Sequence, residues 1–219
     1  MIKANKKLLL IIICVTIFGG IELMAIEKPE YKVIKEYKNF EIRKYEPYLI
    51  AETEVKDKFE DATNRAFRIL FDYISGNNEK QEKIKMTSPV NQRNAEGRGQ
   101  KIKMTAPVSQ EVKMQSDGKY KIAFIVPSKY DMETVPLPKD PRVNIREIPG
   151  QTIAAVKYSG NWSEEKYRKH EKQLIDALQS KEIKIIGNPV FARYNPPFWP
   201  AFMRRNEILI EIEYPLSEK

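Results

Sequence analysis

One histidine and one cysteine set narrow limits on the chemistry open to this chain of 219 residues. Cys14 lies in an apolar N-terminal run, so a Cys/His zinc site cannot be built, and nucleophilic catalysis through an imidazole would depend on His170 alone. His170 falls in a helical pattern with Tyr167, Leu174, Ala177 and Leu178. That leaves it two roles: a histidine at the core edge, hydrogen-bonded to a neighbour, or an axial ligand to iron. Glu164 and Glu165 are adjacent, and adjacent helical residues diverge, which suits capping better than paired acid–base work. The sequence holds no Gly-rich phosphate loop, nucleophile elbow or metal cluster. It reads as a non-enzymatic protein, with a carboxylate-assisted hydrolase as the residual catalytic option.

The strongest binding signal is the loop from Asn195 to Asn206. Phe198, Trp199, Phe202 and Met203 offer flat and polarizable surface for a planar molecule, and Arg204 or Arg205 could pair with its carboxylates. The same residues also read as a plug for the end of a barrel, with Arg205 and Glu207 in a structural ion pair. An exposed patch would instead mark a binding site.

Charge excludes some partners. The chain has 38 Lys+Arg against 30 Asp+Glu, a net +8, but the excess is spread along its length. Nucleic-acid binding would need a basic stripe with interleaved aromatics or a known module, and neither is present. A solvated basic surface, mildly attractive to anionic lipids or ligands, remains. With 42% hydrophobic residues the composition is that of a folded domain.

Residues 1–25 read as a targeting segment. Lys3, Lys6 and Lys7 precede the apolar run Leu8–Ile21, too short for an ordinary transmembrane helix, and Leu23-Met24-Ala25 is a weak cleavage signal. The expectation is a signal peptide or an uncleaved N-terminal membrane anchor. Residues 26–219 would then form a single exported domain, periplasmic or otherwise extracytoplasmic, free or held at the inner membrane.

The positioning elements repeat. Ile42-Arg43 and Ile50-Ala51 recur as Ile145-Arg146 and Ile153-Ala154, and the same offset carries Phe59 onto Trp162, each expected at a helix start. Both halves, roughly 40–126 and 143–214, read strand, helix, strand, strand. In the first half, Phe40–Val55 alternates like a strand bent at Pro47. Asp57 and Glu60 form a potential capping box, apolar residues at 59, 62, 66, 67, 70, 71 and 74 make a helical stripe, and Gly76 stops it. Two short strands are expected to end in the related heptads Ile84–Val90 and Ile102–Val108, with Met86 and Met104 in the core, before a strand at Tyr120–Val126. Asp131–Pro141, with three prolines, reads as a surface linker. The second half offers strands at Val143–Ile148 and Thr152–Tyr158, a helix capped by Ser163, and strands at Pro189–Tyr194 and Glu207–Tyr214. The fold class is α+β: a duplicated strand-helix-strand-strand unit forming a distorted antiparallel β-barrel flanked by two α-helices.

The paired Lys-Met-Thr-Ser/Ala-Pro-Val heptads resemble the SOUL / haem-binding protein family, bacterial type. So do Asp140-Pro141-Arg142-Val143, Tyr158-Ser159-Gly160-Asn161-Trp162-Ser163 and the run from Ala192 through Glu207, all in family order. The resemblance implies a SOUL-type domain that binds haem or a related tetrapyrrole as ligand without catalysis, as carrier, buffer or scavenger. It also implies kinship to small-molecule effector-binding domains. In vertebrate members the ligand groove is partly lined by the first helix, which maps onto Asn64, Phe67 and Phe71 here. Basic residues found on that helix align with Asn64 and Asp72, and Phe40–Val55 lacks the strand histidine of some relatives. The alternatives are an effector-binding module for another small amphipathic molecule, without haem, and an interaction domain of the cell envelope.

Overall fold

The computed structural model describes residues 27–80, 99–112, 118–196 and 198–215. The targeting segment, the first heptad with Met86, and the polar tip that follows it lie outside the described residues. Among the described residues twelve strands and two α-helices run in the order β1 (Tyr31–Glu36), β2 (Glu41–Tyr45), β3 (Tyr48–Lys56), α1 (Phe59–Ser75), β4 (Asn78–Glu79), β5 (Val108–Val112), β6 (Lys119–Ile125), β7 (Leu137–Pro138), β8 (Asn144–Ile148), β9 (Gln151–Tyr158), α2 (Glu164–Gln179), β10 (Lys184–Ile185), β11 (Val190–Arg193) and β12 (Asn206–Glu213). Ten of the strands form one antiparallel sheet ordered β1-β2-β9-β12-β11-β5-β6-β3-β8, with β10 on the far part of β12. It is curled into a half-barrel flanked by the helices, as the duplicated pattern predicts.

The order of the sheet is palindromic. From β2 to β8 it reads the same from either end once each strand is replaced by its repeat equivalent, with the β5–β11 pair at the centre. The halves also exchange strands: β2 pairs with β9 and β8 with β3, so neither opening strand pairs with its own successor. Exchange makes the two units one sheet with one core.

Strand alternation sorts the side chains. Leu49, Ala51, Val55, Ile122, Phe124, Ala154, Ile208, Ile210 and Ile212 point to the helical side and join Phe59, Leu70, Tyr167, Leu174 and Leu178 in a single core. Their sequence neighbours Ile50, Ala123, Ile125 and Ile148 face the other way.

Helix α1 presents Phe59, Ala62, Ala66, Leu70, Tyr73 and Ile74 to the core, and the two alanines let it lie close on β3 and β6. Phe71, part of the expected stripe, is exposed, and Tyr73 takes the inner position, its hydroxyl donating to the Pro136 carbonyl at 2.7 Å. Gly76 ends the helix at φ 124°, a conformation that a Cβ would strain. The expected Asp57 cap is not made. Lys58 is the N-cap, and Asp57 Oδ1 accepts from the Lys58 amide one residue before the helix. Ser163 does cap α2, accepting from the Lys166 amide, with Glu164 and Glu165 in the first turn.

Two other expectations are corrected. The second heptad is not a strand before Val108, which opens β5: the Ile102 amide donates to Ile74 O, the Ala106 amide to Glu27 O, and the Thr105 hydroxyl to Ile125 O. These bonds tie the segment to the helix end and to β6 in place of a ladder, and they leave Met104 exposed while Ile102 is buried. The proline-rich linker contains β7, which pairs with β4. Strand β1, at the exposed edge beside β2, was not foreseen.

Candidate functional site

The curl turns one face of the sheet inward around a cavity of about 930 Å³. Its floor is apolar: Ile50, Ala123, Ile125, Ile148, Ile153, Ile185, Ile186, Val190 and Leu209. Most belong to the face opposite the helices; Ile186 lies in the β10–β11 connection, and Ile185 on β10 packs against the helical-side core as well. Ser109 lies in register between Ala192 and Ala123; the small side chains of Ser109 and Ala123 open a recess in the cavity wall, while Ala192 is covered by Ala106 and Tyr194. Charges enter at alternate positions: Glu52, Glu111 and Glu211 against Lys121 and Arg146.

These charges are partly spoken for. Arg146 Nη2 donates to Glu52 Oε2 at 3.1 Å, and Asn188 Nδ2 donates to Glu111 Oε1 at 3.0 Å. Burial is the largest single influence and would raise the Glu52 pKa, but the hydrogen bonds from Arg146 and Asn144 and the charges of Arg146 and Lys121 together outweigh it and hold the carboxyl below its ordinary range. Tyr45 and Tyr48 bring two phenols to the wall. Burial pushes Tyr45 up to about 12 and raises Tyr48, so both are neutral donors at physiological pH.

Beside the cavity, Tyr45 leads into a buried ionic cluster. Arg43 and Glu207, both fully buried, form a two-pronged pair at 2.7 and 2.9 Å. Arg43 Nη1 also donates to the Tyr45 hydroxyl at 2.9 Å, and Arg43 Nε to Glu41 Oε1 at 2.6 Å. Glu207 receives two more partners, Tyr194 Oη at 2.9 Å and Arg205 Nη2 at 2.6 Å. Burial would raise the Glu207 pKa, yet the two guanidiniums win and lower it. The cluster clamps β2, β9 and β12 together at one end of the half-barrel, where tyrosines 31, 45, 48 and 194 leave only a small void of about 20 Å³.

The sequence and the fold have matches among known proteins. The sequence matches the family described as "SOUL heme-binding protein" over residues 26–98 and 91–211. The chain belongs to that family. Similar SOUL-family relatives include "Heme-binding protein 1" of Xenopus tropicalis, 27% identical over 88% of this chain and 93% of the relative. "Heme-binding protein 2" of Homo sapiens is 28% identical over 89% of this chain and 90% of the relative. The solved C-terminal domain of EcmrR shares the fold, with a TM-score of 0.56 at 8% identity over 84% of this chain and 98% of that one.

In this SOUL domain the residues singled out from sequence do not converge on the cavity. Asn64, Phe67 and Phe71 lie on α1, on the helical side of the sheet, with Phe67 stacked on Phe71 at 5.7 Å and edge-on to Phe124 at 5.3 Å. Asn64 and Phe71 are exposed and Phe67 half-buried. His170 also lies on the helical side. Its ring stacks on Tyr158 at 3.9 Å, and Nδ1 is 2.7 Å from the Lys166 carbonyl, which places the proton on that nitrogen. His170→Ala is expected to cost about 1 kcal/mol, the worth of one ring stack and one half-exposed hydrogen bond. Urea unfolding checks it, and a loss several times larger would mean that the ring anchors α2.

The 195–206 loop occupies a third place. Phe198, Trp199, Phe202 and Met203 are 81, 39, 78 and 54% exposed, so they do not plug the half-barrel. Arg205 does pair with Glu207, while Arg204 Nε donates to the Trp199 carbonyl at 2.8 Å. A second large hollow, about 670 Å³ between the N-terminal segment and the 126–133 loop, is ringed by Glu27, Glu30, Glu46, Asp131, Glu133 and Glu147. Among the described residues no group of three His, Cys, Asp or Glu is placed to hold a metal ion.

Sequence reasoning missed the cavity floor and the Arg43–Glu207 pair. The alternation of Ile50 with Glu52, Ser109 with Glu111, and Arg146 with Ile148 was a usable signal for a shared face. Nothing local said that this face is concave.

Proposed function

We propose that the protein is an exported, non-catalytic binder of haem or a related tetrapyrrole, held on the concave face of the half-barrel. The observation that carries the reading is the cavity of about 930 Å³ with its floor of aliphatic side chains, a size and character suited to a flat macrocycle. Family membership supports it, since the relatives named above are heme-binding proteins by name. The residues fit in shape and in apolar character. Charge then sets the orientation: with three carboxylates facing two cations, the acidic edge of the ligand stays toward solvent beside Lys121 and Arg146. Tyr48 and Tyr45, neutral phenols at this wall, would hydrogen-bond the ring. Bound there, the ligand would be sequestered as by a carrier, buffer or scavenger. Export rests on the lysines and apolar run of residues 1–25, and fractionation of cells with and without that segment tests it.

The excess of carboxylates favours a second reading, an effector-type module for a flat lipophilic cation in the same cavity. One titration series separates the two. Haemin added to the full chain is expected to give a saturable Soret shift at about one per chain. Ser109→Trp fills the recess and is expected to weaken binding at least tenfold, whereas His170→Ala and Phe71→Ala leave it unchanged. Normal binding by Ser109→Trp with loss in Phe71→Ala would move the site to the first helix. No Soret shift beyond that given by an unrelated basic protein sinks the haem reading, and saturable binding of a rhodamine dye would then select the second.

A further inference from the structure

We propose that the 198–203 turn is a membrane-docking tip that inserts its apolar side chains into the interface of an anionic bilayer. Four large apolar residues within six positions stand in solvent, Phe198 and Phe202 almost completely. Such an outward cluster is costly unless something covers it. It is not a loose loop. The Gly160 amide donates to Ala201 O at 3.0 Å, the Trp199 amide to Pro196 O, the Met203 amide to Pro200 O, and the Arg205 amide to Asn195 Oδ1 at 2.6 Å. Asn206 fastens the base, accepting from Trp162 Nε1 at 2.9 Å and donating to Gly160 O at 3.2 Å. Gly160 is at φ 126°, a backbone conformation that a side chain would strain, so glycine suits the turn that receives the loop. The scaffold holds the aromatics outward rather than letting them fold onto the core.

Charge names the occupant. Lys166 lies against Gly160 and the Arg204 guanidinium sits 4.8 Å from the Trp162 ring centre, both at the base of the turn. An apolar and aromatic tip collared by lysine and arginine matches the order of a bilayer surface, acyl boundary first and anionic headgroups behind it. The site lies apart from the concave cavity and does not depend on what that cavity binds.

The test uses the full chain on vesicles of phosphatidylcholine with about 30% phosphatidylserine, a proportion chosen for a strong negative surface potential. The chain has two tryptophans, neither in residues 1–25, so their quenching by lipids brominated near the headgroup reports on the folded domain and not on the N-terminal segment. Quenching of at least half the emission is expected from Trp199. It disappears in Trp199→Phe and falls at least threefold in Phe198→Ser/Phe202→Ser, with thermal unfolding unchanged. Quenching that is absent, or that survives both variants, overturns the proposal. So does sedimentation showing that the tip instead pairs two copies of the chain in solution.

Discussion

Glu207→Gln is expected to cost the protein about 3–5 kcal/mol, the usual penalty for breaking a buried ion pair from one side. The carboxylate is fully buried and receives Arg43, Arg205 and Tyr194. Gln keeps the shape but withdraws the charge, leaving the fully buried Arg43 with Glu41 as its remaining anion. The fall in melting temperature should be on the order of 10 °C for a domain of this size. The double variant Arg43→Met/Glu207→Leu separates charge from packing: removing both partners is expected to recover much of the loss, because the cost lies in the unpaired charge.

Acid provides an independent reading of the same pair. Glu207 is held below its ordinary carboxyl pKa of 4.5 in the folded protein. Its contribution is therefore complete above that value and disappears as pH falls through the lowered folded pKa. Stability measured by urea should drop steeply below about pH 4.5 in the wild type, and more shallowly in Glu207→Gln. Equal slopes would mean that other carboxylates, such as Glu52 beside Arg146, govern acid unfolding.

Phe59→Ala should be of similar size, about 3–5 kcal/mol, for a different reason. Phe59 opens α1 and touches both repeats: Tyr120 at 5.9 Å, Tyr167 of α2 at 5.3 Å and Phe191 of β11 at 6.1 Å. Its loss opens a void where the two helices meet over the sheet, and the surrounding rings cannot collapse without leaving their own contacts. Phe59→Leu, which restores much of the volume, is expected to cost less than half as much. Because exchanged strands give the halves one core, Phe59→Ala should lower a single cooperative transition in calorimetry. Two resolved transitions would show that the repeats fold separately.

Much of the scaffold was legible in the chain because strand and helix periods are local properties. The offset joining Ile42-Arg43 to Ile145-Arg146 places β2 opposite β8 and β3 opposite β9 in the palindrome. The helix stripe and Gly76 located α1 to within a residue at its C-terminal end. The offset holds for those two strand pairs and not beyond them, since β11 starts 82 residues after β5 and β12 starts 87 after β6. Helix α2 begins two residues later than the offset places it, so Trp162 precedes the helix instead of opening it. His170 consequently aligns with Arg65 and not with Phe67. The second heptad misled because Ile102 and Met104 alternate like a strand while Thr105 bonds through its side chain.

The sequence by itself determined which residues share a face, since backbone sterics tie side-chain direction to position along a strand or helix. Tertiary structure decided which strands pair, that the halves exchange them, and that the face bearing Ile50, Ala123 and Leu209 curls inward. It also decided that Arg43 meets Glu207 across 164 positions of sequence. Those outcomes depend on ladders and packing between distant segments, whose energies no local pattern contains.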